Sequence, residues 1–123
     1  MKVLFIEAGK NRFRSMDIED ELSEFYELIG CNCIDIAVRK VKGKPFDFIV
    51  DDEGLLKTDV KFATANRSLT EAFAGNVIVC GTADAEGRQT SLTDEDVRLL
   101  LSNRAMIVQG TSHYEILLMD EVR

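Results

Sequence analysis

Three cysteines, one histidine and two small polar clusters are the groups in this 123-residue sequence whose types could carry chemistry. Cys31-Asn32-Cys33 is a Cys-x-Cys pair. Thiolates at that spacing bind zinc when a second pair completes four ligands. Here Cys80 stands alone and His113 lies far along the chain, so the thiols read as small, partly buried strand residues. Asp51-Asp52-Glu53 gathers the oxygens a hard cation wants, but without the alternating ligands and terminal Glu of a calcium loop. It reads as a solvated turn. His113 has no adjacent nucleophile and sits in a polar turn, Thr111-Ser112-His113-Tyr114. Gly75 and Gly81 flank a strand and open no helix, so they form no phosphate-binding fingerprint. Asn66-Arg67 is an isolated polar pair that either holds a turn or caps a short helix, or else lines a small ligand pocket. These patterns assign no catalytic residue, no metal ligand and no cofactor, and point away from an enzyme.

Charge placement carries more information. The chain has 22 acids against 15 bases, a formal net charge of −7. That balance disfavours direct binding to nucleic acid or to an anionic membrane. The excess is uneven. Residues 31 to 75 hold seven acids and seven bases, whereas Asp17, Glu19, Asp20, Glu21, Glu24 and Glu27 form a run with no base among them. Asp17, Asp20, Glu21, Glu24 and Glu27 are expected on one helical face, opposite a stripe of Ile18, Leu22, Phe25 and Ile29. Arg39, Lys40, Lys42 and Lys44 concentrate four bases at a hairpin tip. The plain reading makes both runs solvated faces; the functional reading makes them partner-binding surfaces, the acidic one docking on a basic groove of another protein.

The elements that position these groups follow from periodicity. Lys2 to Ala8 reads as a strand, with Phe13 to Ser15 pairing back across a turn. Asp17 to Ile29 reads as a helix capped by Ser15 or Asp17 and stopped by Gly30. Cys31 to Val41 and Phe46 to Val50 form a hairpin around Lys42-Gly43-Lys44-Pro45. A short strand is expected over Leu55 to Val60 and a short helix over Leu69 to Phe73. Asn76 to Thr82, with four consecutive apolar residues, reads as a strand buried on both faces. Thr93 and Asp96 make a capping box for a second helix ending near Asn103, with Leu92 and Val97 as its hydrophobic staple. Ala105 to Gln109 and Tyr114 to Met119 read as two closing strands. The expectation is one α+β domain over residues 1–123, a largely antiparallel sheet packed with two main helices.

Apolar residues make up 46% of the chain, enough for one core at this length. No stretch approaches the roughly 20 apolar residues of a membrane span, and the apolar start is cut short at Glu7. A cytoplasmic location is expected, consistent with an odd cysteine count and no disulfide framework. Unpaired edge strands would allow a homodimer.

The order of features from Lys2 to about Arg104 resembles a known family. It comprises Glu7 after the first strand, the acidic helix ending at Gly30, and Asp52-Glu53-Gly54. Asn66-Arg67-Ser68-Leu69, Gly75-Asn76-Val77-Ile78-Val79-Cys80-Gly81 and Ser91-Leu92-Thr93-Asp94-Glu95-Asp96 follow. Short proteins of unknown function carried by phages, plasmids and integrative elements, mainly of Firmicutes, show this series. Residues 105–123 extend past the family pattern. The resemblance implies the company of mobile elements, whose small proteins often counter host defences. Together with the acidic run it leads to the expectation of a non-enzymatic mobile-element accessory protein that binds and inhibits a host protein with a basic surface. A defence component such as a CRISPR effector is the sharpest expectation. The other reading is a small-molecule or nucleotide-signal binding module built around Asn66 and Arg67.

Overall fold

The computed structural model describes residues 1–57 and 59–121. The first sheet has five strands in the order β2-β1-β7-β4-β3. They are β1 (Lys2–Glu7), β2 (Arg12–Asp17), β3 (Ile34–Val41), β4 (Lys44–Asp51) and β7 (Val77–Cys80). The second sheet has four, β6-β5-β9-β8. They are β5 (Phe62–Asn66), β6 (Ala72–Ala74), β8 (Arg104–Gln109) and β9 (Ser112–Met119). All pairings are antiparallel except β5 with β9. Helices α1 (Leu22–Ile29) and α2 (Asp94–Leu101) complete a single α+β unit.

The alternation of strand side chains sorts the core into layers. Leu4, Ile6, Phe46, Phe48, Val50, Val77 and Val79 of the first sheet pack with Ala63, Leu117 and Met119 of the second sheet, and with Leu92 and Leu100 around α2. The opposite face, Val3, Phe5, Ile49, Ile78 and Cys80, packs Phe25 and Ile29 of α1. β7 lies at the centre of its sheet, and all four of its residues are buried. That is why its sequence is apolar without alternation.

Local chemistry fixes the connections. The β3–β4 hairpin turns on two residues, Lys42 (φ +50°) and Gly43 (φ +81°), the positive-φ pair that matches strand twist. Pro45 sits on β4 opposite Lys40, beyond the Asp47–Ile49 stretch that pairs with β7, so its missing N–H costs no ladder bond. Gly30, left-handed at φ +77°, ends α1 and donates its N–H to Tyr26 O. α2 has the expected capping box, with Thr93 and Asp96 bonded reciprocally at 3.0 Å, and it ends at Ser102.

Three sequence expectations are corrected. The first helix is shorter than Asp17–Ile29, because the chain stays extended through Ile18. Met16 and Ile18 both face the α1 side of the core at period two, and Asp17 pairs with Lys2. Residues 55–60 form no strand among the described positions; a 3-10 turn spans Gly54–Leu56. The helix expected over Leu69–Phe73 is instead the turn and second strand of the β5–β6 hairpin. In a strand, Glu71 and Phe73 share one face, and both meet Arg39, through an ion pair and a ring contact at 5.5 Å. Helical geometry would turn them apart.

Candidate functional site

The acidic run 17–27 bends around the edge of the α1 layer. The Met1 ammonium donates to Ile18 O and the Ile18 N–H donates to Met1 O, each at 2.9 Å. This ties the end of β2 to the N-terminus and leaves residues 19–21 to bridge into α1. Of the five acids expected on one helical face, only Glu24 and Glu27 are helical. Asp17 ends β2, Asp20 lies in the connector, and Glu21 is the N-cap, without a side-chain capping bond. Neither Ser15 nor Asp17 caps the helix, since both are strand residues. Asp17, Glu19, Asp20, Glu21 and Glu27 are exposed and Glu24 is half-buried. None of the six makes an ion pair with another described residue. Eight carboxylates elsewhere do: those of Glu7, Asp51, Glu71, Asp84, Glu86, Asp94, Asp96 and Glu115. Asp20 lies near enough to Cys80 for its charge to disfavour the thiolate. Cys80 faces the α1 side of the sheet, which places the acidic connector over that layer.

The basic hairpin is partly consumed inside the molecule. Arg39 grips Glu71, with Nη2 donating to Oε2 at 2.8 Å, and it also donates to Val38 O at 2.8 Å. Lys44 pairs with Asp96 of the α2 cap. The backbone N–H groups of Lys42 and Gly43 each donate to the Asp120 carboxylate at 2.8 Å. Lys40 and Lys42 keep exposed side chains without an ion-pair partner among the described residues. None of the four bases pairs with the acidic run.

Asn66 is fully buried and its amide belongs to its own turn. Nδ2 donates to Thr70 Oγ1 at 2.9 Å, and Oδ1 accepts from the Glu71 N–H at 3.2 Å. This is the turn-holding role, and it fixes Leu69 in a left-handed conformation at φ +59°. Arg67 is exposed at the same turn. The two residues are neighbours in the turn, with the Asn66 amide directed to its Thr70 and Glu71 partners.

The remaining candidates are structural in their surroundings. Cys31 and Cys33 are not strand residues as expected, since β3 starts at Ile34 and Cys33 is exposed; both line a cleft of about 380 Å³ with Tyr26, Asp51, Glu53 and Lys57. Burial and the nearby Asp51 push the Cys31 thiol up; local desolvation and the Glu53 carboxylate raise the exposed Cys33 thiol. Burial pushes Cys80 up to about 12. No three His, Cys, Asp or Glu residues among those described converge as metal ligands. Asp51 accepts from the Glu53 N–H at 2.9 Å and pairs with Lys57, so the acidic turn is held by its own first residue. His113 is exposed on β9 opposite Val108. Sequence reading missed Glu71, Asp120 and Glu121, which anchor the two hairpin tips across 32, 77 and 53 residues. No local pattern signals contacts of that range.

No helix among the described residues is long and apolar enough to cross a membrane. Neither the curated proteins nor the solved structures hold a match to the chain. Residues 1–105 match the family described as a domain of unknown function, DUF3846, and the chain belongs to that family.

Proposed function

We propose that the protein acts by binding rather than by chemistry. In this reading it is an accessory of a mobile genetic element whose acidic run 17–27 docks on a basic surface of a host protein and inhibits it. A defence component such as a CRISPR effector is the intended target. One observation carries this reading. Six carboxylates crowd eleven residues and none of them makes an ion pair with a described residue, while eight others in the molecule are paired. Glu24 and Glu27 are three apart on α1, and a like-charged pair at that helical spacing costs a few tenths of a kcal/mol, a cost that a basic partner would reverse on docking. Such surfaces steer association and fix register more than they add affinity.

The reading is tested by measuring binding to a purified effector nuclease over a salt series. Affinity should fall steeply between about 50 and 200 mM salt, as for exposed charge pairs screened by ions. Replacing Asp20, Glu21, Glu24 and Glu27 by Ser should remove both the binding and its salt dependence. Binding that ignores salt and survives the four substitutions would sink the acidic-surface reading.

A further inference from the structure

The two sheets have four edge strands, β2, β3, β6 and β8. An open edge is a template for another strand, and proteins blunt edges that must stay unpaired. Three of the four are blunted. β3 covers its outward groups with its own side chains and the chain end. Asp35 accepts from the Ile36 N–H at 2.9 Å, Arg39 donates to Val38 O at 2.8 Å, and the Asp120 N–H donates to Lys40 O at 2.8 Å. β2 carries Arg12, Arg14 and Asp17 in six residues. β6 has three residues and its pairing with β5 is irregular.

β8 is blunted least, by one charged residue, Arg104, at its start. Its six residues, Arg104-Ala105-Met106-Ile107-Val108-Gln109, hold no acid, no Pro and no Gly, and its four central residues are apolar. Leu118 N–H donates to Asn103 O at 2.9 Å, so Asn103 and Leu118 are a hydrogen-bonded pair. In an antiparallel ladder such pairs alternate. Ala105, Ile107 and Gln109 therefore bond to β9, and the N–H and C=O groups of Arg104, Met106 and Val108 point outward. No hydrogen bond from a described residue uses them. Met106 and Val108 are 56% and 74% exposed. Glu121, the last described residue, bonds Ser68 at the β5–β6 turn, on the other side of β9 from β8.

We infer that β8 pairs with β8 of a second copy of this chain, antiparallel about a two-fold axis at Met106, joining two four-stranded sheets into one of eight. Self-pairing with matching faces requires opposed residues of equal parity. The register about Met106 sets Met106 against Met106 and Arg104 against Val108, twice by symmetry. It uses all the outward groups of these three residues and opposes no like charges. Charge selects a second copy over a basic partner. A chain of net charge −7 repels itself wherever acids are exposed, and this edge carries one base, Arg104, already offset by Glu115 at 3.2 Å. A Lys- or Arg-rich strand would find no carboxylate within it to meet. One strand pair covers less than the roughly 800 Å² per partner of a standard interface, so the dimer is weak and concentration-dependent.

The test is sedimentation equilibrium of the full chain from micromolar to millimolar concentration, for wild type, Val108→Lys and Val108→Glu. Wild type should pass from monomer to dimer. Val108→Lys sets a cation opposite Arg104 at two places and should weaken the dimer. Val108→Glu sets an anion there and should tighten it, with the two variants about tenfold apart in Kd from their doubled cross-strand pairs. Both substitutions are at an exposed position, and unchanged thermal melts check that each variant folds. A wild type monomeric throughout, or equal weakening by both variants, would overturn the proposal. Neither outcome bears on the acidic run, which lies on the other sheet.

Discussion

Asp96 shows how one residue serves two elements. Its carboxylate accepts from the Thr93 N–H at 3.0 Å and pairs with Lys44 of β4, so the cap of α2 is also its tie to the first sheet. Burial favours the neutral acid, but the hydrogen bonds from Lys44 and Thr93 outweigh it and hold the carboxyl below its ordinary value. A depressed carboxyl contributes stability above the unfolded-state pKa, about 3.9, and loses it as pH falls through the folded value. Asp96→Asn should therefore cost about 1 kcal/mol at pH 7. That deficit should shrink as the pH drops below about 4, which denaturant unfolding across pH would read directly. The cap itself was legible in the sequence, because Thr93-x-x-Asp96 is a local pattern; its partner Lys44, 52 residues away, was not. The cysteines allow a second check at this scale. Cys80 is fully buried and raised to about 12, while Cys33 is exposed. Iodoacetamide at pH 8 should label Cys33 in the native protein and leave Cys80 intact until denaturant is added, as peptide mass spectrometry would show. Native labelling of Cys80 at the rate of Cys33 would contradict its placement.

Elements defined by strong local chemistry were legible, and those decided by distant partners were not. β7, α2 and the β3–β4 hairpin follow from an apolar run, a capping box and a Lys42-Gly43 turn. The start of α1 was misplaced because Ile18 fits the helical stripe and the strand alternation equally well. Its exchange of bonds with Met1 decides for the strand. The helix at Leu69–Phe73 failed similarly, since Glu71 and Phe73 are claimed together by Arg39. α1 consequently begins at Glu21 without a side-chain cap. Glu21→Asp keeps the charge and shortens the side chain to a capping length, so it should stabilise the protein by about 0.5–1 kcal/mol. A rise in Tm of a few degrees would mark it, and a fall would mean that the connector cannot adopt the capping geometry.

At the scale of the molecule, the family match ends at Ala105, yet the structure does not divide there. β9 lies between β5 and β8, and Tyr114, Ile116, Leu117 and Met119 are all buried. Each such side chain contributes roughly 1.5–3 kcal/mol, and together they match the whole stability of a typical domain, about 5–15 kcal/mol. A chain cut after residue 105 should show no cooperative thermal transition by circular dichroism; a sharp melt would mean that the first sheet stands alone. The proposed binding surface was half legible. The acidic run was visible as composition, while its shape, a strand end, a connector and the start of a helix, came from long-range pairing. The central claim is that this run engages a basic host target. The most direct measurement is DNA cleavage by a purified CRISPR effector nuclease, titrated with wild type and with the folded variant carrying Ser at positions 20, 21, 24 and 27. Wild type should suppress cleavage and the variant should leave it at the uninhibited rate. Equal suppression by the two proteins, or none by either, would contradict the account.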